Sequence, residues 1–276
     1  MGKKKSRPLP AEMALPAGGA DSHAHLDLKD SGDIEENIRL ALECGISNIG
    51  QVFLGPQAFK TNRHKFARKE KIFFILGIHP HDAGEVQPGD IEQIETFIRE
   101  EKSIRALGEI GLDYHYMHSS PETQQKLFAQ QLELAAQLDI PVVIHCREAE
   151  EDALRILDNM GFRDRPLLWH CFGQGTHLAE HILDRGWHLS IPGTVTYRKN
   201  TKLQNAVAMS IPMSKMLLET DSPFLAPEPY RGKINSPALI VFTARKIAEL
   251  KEEKAEKIWE DTGRNCRKFF KINEHS

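Results

Sequence analysis

The chain of 276 residues leaves room for one or two domains, and α/β barrels of about 250 residues fold as a single unit. Its 40% hydrophobic and 27% charged residues, with 19 Gly and 15 Pro, exclude disordered and fibrous classes. Lys and Arg total 36 against 39 Asp and Glu, a net charge of −3, which excludes the global basic field that grips duplex nucleic acid nonspecifically.

Residues 1–18 join Lys3, Lys4, Lys5 and Arg7 to Pro8, Pro10 and Pro16 and read as a disordered basic arm. Gly2 followed by Ser6 fits the short myristoylation pattern, but a solvated arm is the stronger reading. Residues 19–276 are expected to form one domain. Within it a short apolar run, a polar turn and a helix with 3.6-residue periodicity recur, the mark of βα units. Strands are expected at 19–25, 46–53, 72–78, 104–109, 141–145, 166–170, 187–191 and 216–221. Asp33 and Glu36 suit the start of the first helix, and Ser120 with Pro121 the start of a helix over 122–138. Two helical stretches, 236–251 and 253–270, exceed the repeat. Eight repeats predict an α/β fold, a (β/α)8 barrel with extra C-terminal helices. The segment Gly18 to His23 is not GxGxxG, which argues against a doubly wound dinucleotide fold.

No run approaches the roughly 18 apolar residues of a membrane span, so no membrane association is expected. Cys44, Cys146, Cys171 and Cys266 form no CxxC pair, and free thiols in a cytoplasmic protein are expected.

In a barrel all strand C-termini share one rim, the face that carries active sites. Nearly every predicted strand ends there in a residue able to bind metal: His23 and His25, then Glu109, His145, His170 and Asp221. In an extended chain residues i and i+2 share a face, so both imidazoles of His23-Ala24-His25 can reach one cation. Singly, each signal has a bland explanation. Glu109 could pair with Arg105 or Arg147, Asp221 could cap a helix, and each histidine could be a hydrogen-bonded core residue. One binuclear centre accounts for them all. Imidazole nitrogen and carboxylate oxygen suit Zn, Mn, Co or Mg, and two such cations lower the pKa of a bound water from 15.7 to near 7, so hydrolysis is the expected chemistry.

These residues resemble the TatD-type metal-dependent deoxyribonucleases, within the amidohydrolase-like TIM barrels. The resemblance spans 20–270 and rests on Asp21 to Asp27, Gly77-Ile78-His79-Pro80-His81, Gly108 to Tyr114, His145-Cys146-Arg147, His170-Cys171-Phe172, Glu219 to Pro223 and Pro229 to Lys233. It implies two divalent cations per chain (Mg, Mn, Zn or Co). His23, His25, Glu109 and Asp221 would hold one, and Glu109, His145 and His170 the second. Glu109 at the fourth strand, where many amidohydrolase barrels place a modified lysine, favours the nuclease branch. The sequence departs from the family pattern after Phe172, at Glu148 and at Ser236, which leaves substrate preference open.

The implied activity is hydrolysis of DNA phosphodiesters, as an exonuclease on single strands or 3′ ends, because no basic stripe or groove-reading helix is visible. Asp221 and Glu109 are the expected catalytic carboxylates, Asp221 also as proton acceptor. Arg147, Arg231 and His79 are expected to bind substrate, with Lys233 a solvated or phosphate-binding cation. Tyr114 and Phe172 are candidates to stack on a base or, equally, to pack in the wall as large apolar residues. The alternative is a metal-dependent deacylase or amidohydrolase acting on an ester or amide such as aminoacyl-tRNA, and a third reading is a metal-stabilised scaffold. No obligate protein partner is evident, so a monomer is expected.

Overall fold

The computed structural model describes residues 7–67 and 69–272. Eight parallel strands follow one another in chain order around a nearly closed barrel: β1 (Gly19–Ala24), β2 (Ile46–Leu54), β3 (Ile72–Gly77), β4 (Ile104–Asp113), β5 (Val142–Arg147), β6 (Leu167–Trp169), β7 (His188–Ile191) and β8 (Met216–Leu218). The last gap is bridged where Ala24 pairs in parallel with Ser222. The outer helices are α1 (Ile34–Glu43), α2 (Pro56–Asn62), α3 (Asp90–Glu100), α4 (Pro121–Leu138), α5 (Glu150–Asn159), α6 (Thr176–Leu183), α7 (Thr201–Met209), α8 (Ile240–Lys251) and α9 (Ala255–Phe269). The sequence punctuation is visible in their caps. Asp33 accepts a hydrogen bond from the Glu36 N–H at 2.8 Å, and Ser120 caps α4 with Pro121 at its first position. Among the described residues no helix is long and apolar enough to cross a membrane.

Alternation along the strands builds two cores. Val142, Ile144, Leu167, Trp169, Met216 and Leu218 face the helices. Val143, Leu168 and Leu217, one residue out of phase, fill the barrel with Ala20, Val52, Phe73, Ile75 and Ala106. Such a filled interior is a core rather than a pore. The end of α9 plugs the lower opening: Cys266, Phe269 and Phe270 join this inner cluster, and the Phe270 and Phe73 rings are 4.4 Å apart. The C-terminal ends of the strands are left as the only open mouth of the barrel among the described residues.

The expected disordered arm is corrected over its described part. From Arg7 onward the chain is docked: Leu15 is buried in the outer core, and its N–H donates to Cys44 O. Trp259 Nε1 donates to Pro16 O at 2.8 Å, the Arg245 guanidinium to Met13 O, Tyr230 Oη to Pro8 O at 3.0 Å, and Arg7 Nε to Pro229 O at 2.8 Å. Prolines bring no N–H that needs a partner, and side chains of the loop after β8, α8 and α9 capture the carbonyls of Pro8, Met13 and Pro16. The myristoylation pattern at Gly2 and Ser6 lies outside the described residues.

Candidate metal centre

Period-two alternation carries several side chains from the inner core to the mouth. Counting by two from Val143 reaches His145, from Leu168 reaches His170, and from Leu217 reaches Glu219 and Asp221. Two strands need a phase slip. In β4, Ala106 faces inward, but Ile110 and Leu112 face the helices, so the pairing with β5 shifts register between Leu107 and Ile110. That irregularity turns Glu109 inward. The glycines beside it make room: a Cβ on Gly108 would lie 2.6 Å from Val143 O, and one on Gly111, at φ +142°, would lie 2.0 Å from His145 O. A similar shift in β1 between Asp21 and Ala24 aims His23 and His25 into the mouth. Glu109 does not end its strand as expected, since β4 runs on to Asp113 alongside Cys146 and Arg147 of β5.

Two sets of donors meet on the two oxygens of Glu109. Its Oε2 lies 3.2 Å from His23 Nε2 and 3.5 Å from His25 Nε2. Those two nitrogens face each other at 3.2 Å, and Asp221 Oδ1 lies 3.9 and 3.5 Å from them. Its Oε1 lies 2.7 Å from His145 Nδ1, 2.8 Å from His170 Nε2 and 3.5 Å from His79 Nε2. Atoms bound about 2.1 Å from a shared cation stand roughly 3 to 4 Å from one another, so the first set fits a cation directly. The triads His23–His25–Asp221, His23–Glu109–His170 and His79–Glu109–His145, buried except for the half-buried Asp221 and His145, each converge in this way.

The electrostatics match that donor chemistry. Burial lowers the imidazoles of His23 and His79 to about 4, which leaves them neutral with a free lone pair at pH 7. Burial works against ionisation of Glu109, but the charges of His170 and His79 and hydrogen bonds from His145 and His170 outweigh it and hold the carboxyl well below its usual range. His170 and His145 move the other way. Burial opposes their charge, yet Glu109 with Glu219, and Asp113 with Glu109, raise them. A buried carboxylate that demands positive charge, ringed by imidazole nitrogens, suits a borderline divalent cation.

A model of the family described as TatD related DNase matches residues 20–271. The chain belongs to this family. Similar proteins include the uncharacterized metal-dependent hydrolase YabD of Bacillus subtilis, 35% identical over 92% of this chain and 99% of its own. YcfH of Escherichia coli, under the same description, is 33% identical over 92% and 96%. Among solved structures, the TatD homolog YjjV of Escherichia coli K12 superposes with a TM-score of 0.84 at 26% identity, covering 93% of this chain and 99% of that one. This TatD-family protein is a metal-dependent hydrolase, and its buried His, Glu and Asp cluster fits divalent metal.

The six side chains expected as ligands, His23, His25, Glu109, His145, His170 and Asp221, come together at the barrel mouth. His79, expected at the substrate, lies within the cluster, 7% exposed, and also lines the cavity above it. Phe73, Ile75, Gly77 and His79 are spaced by two, and that count was the available signal. Arg147 lines a cavity of about 760 Å³ above the cluster, its guanidinium 4.7 Å from the centre of the Tyr116 ring. Arg231, also expected at the substrate, stacks on Tyr197 at 4.4 Å, outside the lining of that cavity. Phe172, which is 1% exposed in the core, and Tyr114, whose hydroxyl donates to Asp152 at 2.9 Å, take the wall-packing alternative. Both rings pack in or against the outer core. Three buried groups around the cluster were not anticipated. Asp113 Oδ2 lies 2.9 Å from both His145 Nε2 and His81 Nε2. Glu219 accepts from Ser190 Oγ at 2.5 Å and lies 3.4 Å from His170 Nδ1, an ion-pair distance without hydrogen-bond geometry. Asp21, pushed up to about 7 by burial, accepts from Thr220 Oγ1 at 2.5 Å and Thr220 N at 2.9 Å, tying β1 to the segment after β8.

Proposed function

We propose that the protein hydrolyses phosphodiester bonds of DNA, trimming single strands or 3′ ends, with two divalent cations held across Glu109. The observation that carries this is the division of donors between the two Glu109 oxygens. His23, His25 and Asp221 would hold one cation with Oε2; His145 and His170 would hold the other with Oε1, with His79 alongside. Bound divalent cations acidify water and offset negative charge on phosphoryl oxygens.

The chain's own groups then divide the remaining work. Asp221 is the more open carboxylate, its side chain 14% exposed against 5% for Glu109, and it accepts the proton of the attacking water. Glu109, with both oxygens engaged, holds the centre together and keeps its charge. Arg147, at the rim of β5, offers a planar fork to a phosphate oxygen of the strand. Asp113 fixes the ring orientation of His145, as carboxylates do for metal-bound imidazoles, and Glu219 places a carboxylate 3.4 Å from His170 Nδ1.

The test is cleavage of end-labelled single-stranded DNA by the metal-loaded protein, run in parallel with release of an amino acid from an acylated RNA. DNA cleavage that falls at least about a hundredfold in Asp221→Asn supports the reading. Deacylation without DNA cleavage would replace it with the ester-hydrolase reading, and an Asp221→Asn protein as active as wild type would remove Asp221 from the chemistry.

A further inference from the structure

Phe224 follows Asp221 by three residues, and its place is anomalous for a large apolar ring. It is 52% exposed, yet it lines the cavity above a polar cluster. Its recorded ring contact is edge-on to His25 with centroids 6.3 Å apart. The exposure is not that of a loose loop. The Phe224 N–H donates to Asp221 O at 2.9 Å, and Phe224 O accepts from Asn235 Nδ2 at 2.6 Å, so the backbone is pinned on both sides. A rigid backbone that presents an unpacked aromatic face beside reactive groups is the arrangement of a stacking platform.

The barrel sets where that platform stands. Phe224 follows β8, Tyr116 follows β4, and Arg147 ends β5. Strands β4 and β8 are four apart among eight in sequential order, so these two groups face each other across the mouth with the Glu109 cluster between them. The Asp113 carboxylate fixes the far side by accepting from the backbone N–H groups of His115 at 3.0 Å and Tyr116 at 2.9 Å. Tyr116 already has Arg147 against its ring at 4.7 Å and the nearly parallel His118 ring at 5.8 Å, whereas among the described residues the Phe224 ring meets only the edge-on His25.

We infer that Phe224 stacks on the unpaired nucleobase next to the scissile phosphate, while Arg147, backed by Tyr116, holds the strand on the opposite side. This rests on the reading of the protein as a DNA hydrolase and adds a reason for its preference for unpaired ends: a paired base has no free face to offer. The ligand class is a planar aromatic base of any sequence, since every base has such a face.

The test uses the full-length, metal-loaded protein and the single strand dT8. Two further versions carry 5,6-dihydrothymine, which keeps the shape and hydrogen-bonding edge of thymine but is not planar, at the terminal or penultimate position of the trimmed end. Wild type should show higher kcat/KM on dT8 than on one of the two dihydrothymine strands, by about fivefold to a hundredfold, the range of one base stack. Phe224→Ala should bring that ratio close to one, and Phe224→Trp should restore it. Circular dichroism and melting temperature confirm that each variant is folded. A ratio that is unchanged in Phe224→Ala, or already close to one in wild type, overturns the inference while leaving DNA hydrolysis intact. Failure of wild type to cut any of the three strands overturns the DNA reading itself, and the stacking role with it.

Discussion

The substitution Asp113→Asn tests whether the second donor set is a metal site. His145 is held between two carboxylates, Nδ1 toward Glu109 and Nε2 toward Asp113. For Nδ1 to offer its lone pair to a cation, the ring proton must sit on Nε2, and Asp113 Oδ2 accepts it there at 2.9 Å. After the substitution, the remaining side-chain oxygen would keep the N–H groups of His115 and Tyr116, so the new amide NH2 would face Nε2. Two donors would then meet. The relief is for the His145 proton to move to Nδ1, where it blocks the lone pair needed for ligation. Loss of such a supporting partner weakens metal binding by about 10–100-fold, or roughly 1.4–2.7 kcal/mol. Metal titration by calorimetry, with bound metal counted by mass spectrometry, should show one tight and one weakened site in Asp113→Asn against two tight sites in wild type. Two undiminished sites would refute the tautomer argument, and loss of both sites together would refute the division across Glu109.

Two further outcomes probe the scaffold. Gly111→Ala places a methyl group 2.0 Å from a backbone oxygen at φ +142°, and neither strand can yield without breaking the β4–β5 ladder. The variant should lose about 2–5 kcal/mol and melt about 5–15 °C lower, whereas Gly161→Ala, also at positive φ but in open space, should cost about 1 kcal/mol; equal melting points for the two would contradict the packing account. His188, at the lower end of the barrel, is lowered to about 4 by burial with Lys215 and Lys268 nearby, and its buried Nδ1 has no hydrogen-bond partner. The unfolded chain therefore takes up this proton below about 6.5 and the folded chain only near 4, so stability is lost as pH falls through that window. Urea unfolding at pH 7 and pH 4.5 should show His188→Gln losing on the order of 2 kcal/mol less than wild type between the two, and identical losses would mean that His188 does not titrate in this way.

The barrel was legible because each βα unit repeats a local pattern, and the apolar runs, helix caps and turn glycines all pointed to it. What alternation fixes, the sequence also revealed: His145, His170 and Asp221 follow from the inward phase of Val143, Leu168 and Leu217. His79 follows from Phe73 by the same count, but a histidine in a His-Pro-His turn reads equally well as a loop residue. Glu109 and the His23–His25 pair reach the mouth through register shifts, and no periodicity in one sequence encodes a shift. Their metal-binding residue types drew attention instead, and so Asp113, beyond the expected end of β4, went unremarked. The docking of residues 7–18 was hidden for another reason. Its partners, Trp259, Arg245 and Tyr230, lie more than two hundred residues away in the chain, whereas composition reports only local tendencies.

The two register shifts explain why this barrel can hold a shared carboxylate at all. A strand in strict phase offers the mouth one side chain every second residue at nearly fixed height, and in β4 that phase would give the inward position to Gly108 and turn Glu109 against the helices with Leu107. Shifting by one residue brings Glu109 inward above the packed layer, where both of its oxygens are free to face different neighbours. It also brings Asp113 inward further along the same strand, directly behind His145. Glu109, between its two sets of donors, and Asp113 behind His145 thus come from a single irregularity, and Gly108 and Gly111 are the residues small enough to permit it. The glycines of Gly108-Glu109-Ile110-Gly111 therefore serve the chemistry as directly as the carboxylate does, by allowing it to point inward.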